Sequence, residues 1–78
     1  MEHSVSIYTT PSCQYCKMAK ELFKEHAIAY NEYNVAVDAE KRNEMIERSG
    51  QMGVPVIEID GNLVVGFNKE LISTLLGI

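Results

Sequence analysis

Thr9-Thr10-Pro11-Ser12-Cys13-Gln14-Tyr15-Cys16-Lys17 decides how this chain is read. It holds both cysteines, separated by two residues, where a strand-like run gives way to a helix-like one. Upstream, Val5-Ser6-Ile7-Tyr8-Thr9 alternates and is rich in β-branched side chains, which predicts a first strand ended by Pro11. Downstream, Tyr15, Met18, Ala19, Leu22 and Phe23 recur at helical steps from Gln14 to about Ala27, with Lys17, Lys20, Glu21, Lys24 and Glu25 opposite. The reading is an amphipathic helix capped by Ser12 or Cys13, its apolar residues, Met18 among them, turned to the core.

Outward from that junction the pattern continues. Ile28 to Val37 reads as a second strand, and Asn31, Glu32 and Asn34 suit a sheet edge. Asp38 is a good N-cap for a helix from Ala39 to about Ser49, with Met45 and Ile46 inward and Gly50 as its stop. Val54 to Ile59 reads as a third strand. Asp60-Gly61 is a strong two-residue hairpin signal, so Asn62-Leu63-Val64-Val65 returns antiparallel. Gly66 breaks that strand and Asn68 caps a last helix with Leu71, Ile72, Leu75 and Leu76 inward.

The order is β-α-β-α-β-β-α. A right-handed crossover makes the first two strands parallel. A four-stranded mixed sheet flanked by three helices follows, an α/β domain occupying residues 1–78.

Bulk properties narrow the function. Seventy-eight residues approach the lower size limit for an unaided core, and a hydrophobic content of 46% argues against disorder. The net charge is −4, and Lys41-Arg42 is the one adjacent basic pair, so the stripe needed for nucleic acid is lacking. No apolar run approaches the roughly 20 residues that span a bilayer, and no leader pattern precedes the first strand. The expected location is the cytoplasm, where a CxxC is more often catalytic or metal-binding than structural.

Three uses of the cysteine pair compete. A structural disulfide would close almost no loop and stabilise little. An intrachain zinc site needs about four ligands, and His3 and His26 have no matching spacing; a metal or cluster shared between two chains stays open. Redox use fits best. The attacking species is a thiolate, which the N–H groups and dipole of a helix N-terminus favour, and Cys13 sits there. Cys16, one turn on and on the same face, is more shielded and resolves the mixed disulfide that Cys13 forms. Lys17 and Lys20 are expected to be solvated. A CxxC opening the first crossover helix of such a unit reads as a thioredoxin-like motif.

Gly53-Val54-Pro55 is the second signal. Proline there marks either a plain strand start or a cis peptide in a tight turn beside the thiols. In the second case the Val54 backbone is free to pair with an extended substrate peptide.

With these residues assembled, the chain over about residues 4–76 resembles the glutaredoxins of the thioredoxin fold, closest to small bacterial glutaredoxin-like redoxins. Tyr8 through Cys16 resembles the family's active-site stretch, with Gln14 in place of the usual proline. Met52-Gly53-Val54-Pro55-Val56 resembles its Thr-Val-Pro stretch, which carries a cis-proline. The resemblance implies a thiol–disulfide oxidoreductase with a redox-active Cys13–Cys16 disulfide, substrate pairing at Val54 beside Pro55, and a Tyr15 ring bordering the groove.

Glutathione-using members commonly have lysine where Thr10 stands, and Gly-Gly with an acidic pair near Gly66-Phe67-Asn68-Lys69-Glu70. Gly66-Phe67 looks more like redoxins served by thioredoxin reductase. The expected donor is therefore a flavoprotein disulfide reductase, with glutathione as the alternative. The expected client is an oxidised protein such as ribonucleotide reductase or a peroxidase. The expected molecule is a monomer that needs no bound cofactor or metal. The alternative from another class is an iron–sulfur cluster carrier bridging two chains, against which retention of Cys16 argues.

Overall fold

The computed structural model describes residues 3–78. Its elements are β1 (Val5–Thr9), α1 (Gln14–Glu25), β2 (Asn31–Asn34), α2 (Ala39–Ser49), β3 (Val56–Ile59), β4 (Asn62–Val65) and α3 (Lys69–Leu76). The sheet order is β2-β1-β3-β4. β1 and β2 are parallel, while β1–β3 and β3–β4 are antiparallel. The expected β-α-β-α-β-β-α architecture is therefore present, with β2 at an edge.

Alternation along the strands divides the core into two layers. Val5 and Ile7 of β1, Ile57 and Ile59 of β3 and Val64 of β4 meet Ala19, Leu22 and Phe23 of α1 and Ile72 and Leu76 of α3. Tyr8 and Val56 point the other way and pack with Val35 and with Met45 of α2. Thus α1 and α3 cover one face of the sheet and α2 covers the other.

Local chemistry sets the boundaries. The Asp38 carboxylate accepts from Lys41 N at 3.0 Å to start α2, and Gly50 ends it at φ 76°. Asp60 and Gly61 both have positive φ, 51° and 87°, the mirror-image turn that matches strand twist. The Asp60 carboxylate also ties the hairpin to the N-terminal segment through Ser4 N at 2.8 Å and His3.

Four readings of the sequence need correction. α1 stops at Glu25 instead of Ala27, because Ala27 takes φ 55° and Ile28 N turns back to Phe23 O. β2 is four residues, not the run from Ile28 to Val37. Asn34 cuts it short: its side chain accepts from Ala36 N, and its carbonyl from Val37 N and Asp38 N. β3 begins at Val56, two residues later than expected, because Pro55 has no N–H to give a ladder. Finally, Tyr15, Met18 and Leu71 are exposed at 60%, 39% and 41%. Each precedes a buried residue by one position, about 100° around its helix, so Cys16, Ala19 and Ile72 face the sheet in their place.

Candidate active site

The expected site residues gather at one end of the sheet. The end of β1 leads into the cysteine loop, and Tyr8 pairs with Val56 at the start of β3. Val56 pairs in turn with Val65 at the end of β4. The loops carrying Cys13, Val54-Pro55 and Gly66-Phe67 therefore leave the same end of the sheet.

Cys13 caps α1 with extended backbone (φ −89°, ψ 110°), and its Sγ accepts from Cys16 N at 3.1 Å. No acidic residue lies in the first turn to oppose a charge on that sulfur. Cys13 is half-buried, whereas Cys16 is 1% exposed. Burial, together with hydrogen bonding to the Cys13 side chain, pushes the Cys16 thiol up to about 12. The Thr10 backbone and Lys20 oppose that rise. The two sulfurs thus sit in unlike settings, one at the solvent margin and one held as a neutral thiol beneath it.

Pro55 is buried, and the Val54–Pro55 peptide is cis. Val54 packs on the Tyr8 layer of the core. Among the described residues, the Val54 N–H and C=O join no backbone hydrogen bond. Gly66 takes φ 86° and donates its N–H to Pro55 O at 2.8 Å, so the Gly66-Phe67 loop is physically joined to the Val54-Pro55 loop. Phe67 packs on the α1 face of the core and lines a shallow cleft with Met18, Leu22 and Lys69. Tyr15 projects from the first turn of α1.

One group escaped the sequence reading. Lys20 is not simply solvated: its Nζ donates to Glu32 Oε2 at 2.9 Å, and the buried Thr9 hydroxyl donates to the same oxygen at 2.8 Å. The lysine holds the Glu32 carboxyl below its usual range, assisted by Thr9 and opposed by partial burial. The ion pair raises Lys20 in turn. The available signal was spacing, since Lys20 lies four residues beyond Cys16 on one helical face.

An open cysteine loop on the first crossover helix of a mixed four-stranded sheet defines a thioredoxin-like thiol protein. The glutaredoxin family model matches residues 5–64. A glutaredoxin-like 8.6 kDa protein in the rubredoxin operon of Clostridium pasteurianum is 50% identical, over 92% of this chain and 96% of its own. Glutaredoxin 3 of Escherichia coli K12 is 41% identical, over 81% of this chain and 76% of its own. A crystal structure of a variant of the thioredoxin-like protein BC3987 superposes with a TM-score of 0.91 at 35% identity, covering 96% of both chains. The chain belongs to the glutaredoxin family. No helix among the described residues is long and apolar enough to cross a membrane.

Proposed function

We propose that this chain is a cytoplasmic, monomeric dithiol–disulfide oxidoreductase that reduces protein disulfides with Cys13 and Cys16. The asymmetry of the pair carries this reading: Cys13 is reachable at the helix N-terminus, and Cys16 is buried and protonated behind it. Cys13 thiolate attacks one sulfur of the client disulfide, and the other client sulfur leaves as a thiolate. Cys16 gives its proton to solvent and attacks Cys13 Sγ. The Cys13–Cys16 disulfide forms and the second client sulfur leaves. The client gains two electrons and leaves as two thiolates, the protein loses two electrons and one proton, and the client thiolates take up protons from solvent according to pH.

The unpaired Val54 backbone suits an extended client segment added as a strand, with Tyr15, Pro55, Gly66 and Phe67 around it. Ribonucleotide reductase or a peroxidase is a client of the right chemistry. Two electrons then return from a thioredoxin-reductase-type flavoprotein. Phe67 supports that donor over glutathione, since its ring is packed against the core beside the start of α3, in the place where glutathione-using relatives carry a small residue. Likeness to Glutaredoxin 3 keeps glutathione as the second reading.

NADPH-coupled turnover with a protein disulfide tests the donor. Faster oxidation with thioredoxin reductase than with glutathione plus glutathione reductase is expected. The reverse order establishes the glutathione reading. A visible absorbance band after anaerobic purification, lost with the activity on Cys13→Ser, points to the cluster carrier.

A further inference from the structure

Lys20 has no role in the reading above, yet it lies one helical turn beyond the resolving thiol and its charge acts on that thiol. Cys13, Cys16 and Lys20 follow one another at three- and four-residue steps along α1, a single stripe of the helix. The Lys20 side chain is only 25% exposed, and its ammonium is fixed by Glu32 from β2. Glu32 is fixed in turn by the buried hydroxyl of Thr9 on β1. Thr9 adjoins Thr10, whose backbone faces the Cys16 sulfur. A flexible surface lysine would be screened and mobile; this one is tied down on the side of the helix that carries the thiols.

We propose that Lys20, held in place by Glu32 and Thr9, is a positioning residue that stabilises the Cys16 thiolate during resolution of the mixed disulfide. The inference rests on the dithiol reading and assigns it a further residue. The charged and titratable groups facing Cys16 are Cys13 and Lys20. Those facing the Lys20–Glu32 pair are Tyr30 and Lys24. Once Cys13 is bonded to a client sulfur, it carries no negative charge to oppose one on Cys16. Burial then remains as the force holding the proton on Cys16, opposed by Lys20 and the Thr10 backbone. Lys20 transfers no proton itself; the Cys16 proton goes to solvent, and the ammonium balances the charge that the sulfur acquires before it attacks Cys13.

Stopped-flow reaction of the reduced protein with Ellman's disulfide separates the two steps. Attack by Cys13 releases one coloured aryl thiolate at a rate set by reagent concentration. Resolution by Cys16 releases the second at a rate independent of it. An ammonium one helical turn from Cys16, its charge partly offset by Glu32, predicts that Lys20→Met slows the second phase about threefold near neutral pH and moves its pH midpoint up by about half a unit. Lys20→Gln should behave alike, so the outcome does not hang on the folding of one variant. Lys20→Arg should retain most of the wild-type second phase. The first phase and its pH profile should stay within about twofold throughout.

Unchanged resolution in both neutral variants overturns the proposal. So does equal slowing of both phases, which marks a structural role. Absence of any second phase in the wild type is a different result: it removes the dithiol reading itself.

Discussion

The Cys16 backbone N–H donates to the Cys13 sulfur across 3.1 Å, joining the two cysteines by a bond that does not involve the Cys16 thiol. It aims a helix N-terminal donor at the sulfur that must bear charge during attack. The same turn of helix carries the Cys16 thiol into a buried setting where charge is disfavoured, at about 12 against an ordinary 9.0. A one-turn separation thus places two thiols in unlike settings, suited to the different tasks proposed for them.

That burial makes the reduced protein sensitive to alkali. A thiol whose folded value is raised contributes stability that is fully present below its unfolded value, near 9.0, and lost as pH rises towards about 12. The urea midpoint of the reduced protein should therefore fall between about pH 8 and pH 10.5. Tyr8, raised mainly by burial, adds a decline of the same sign. Cys16→Ala should flatten the curve and leave the Tyr8 part. An unaltered slope in that variant contradicts the assignment.

Glu32 behaves oppositely. Its folded value is depressed, first by Lys20 and then by Thr9, so its contribution is present above its ordinary value of 4.5 and lost as pH falls. Its side chain is 37% exposed, which limits the effect. Glu32→Gln should cost roughly 1 kcal/mol at pH 7 and less at about pH 3.5, read from urea titrations at the two pH values. A loss independent of pH would mean that packing, not charge, is at stake.

Gly66 joins the Pro55 and Phe67 loops in a left-handed conformation, φ 86°. An added Cβ would meet nothing within 4 Å, so the cost of Gly66→Ala is confined to the backbone. About 1 kcal/mol of destabilisation is expected by thermal or urea unfolding. A loss of several kcal/mol would show that the residue is packed and not merely turned.

Met45 is fully buried and joins α2 to the Tyr8 face of the sheet. Truncation to alanine removes apolar burial and leaves a cavity. It should cost about 2–5 kcal/mol, with the Ellman first phase retained in the folded fraction, since Cys13 caps α1 and α1 packs on the other face of the sheet.

Periodicity and turn chemistry made most of this fold legible. Asp38, Gly50, Asp60-Gly61 and Asn68 act through bonds to their own neighbours, and such bonds can be read from a few adjacent residues. Asn34 is the exception that shortened β2: its side chain turned the backbone where the apolar residues beyond it suggested a longer strand. Tyr15, Met18 and Leu71 show a different limit. The sequence marks an apolar stripe but not which flank the sheet covers. Within the site, the cysteines and Pro55 stood out because few residues can do what they do. The Thr9–Glu32–Lys20 cluster did not, because it joins three elements and exists only once β1 and β2 are paired.

The division of labour between Cys13 and Cys16 is the central claim, and trapping tests it most directly. Each single serine variant is incubated with an oxidised protein client, and the products are separated without reductant and identified by mass. Cys16→Ser should accumulate a covalent adduct through Cys13, and Cys13→Ser should form none and show no reduction of the client. Full activity in Cys13→Ser, or an adduct formed through Cys16, would contradict the account.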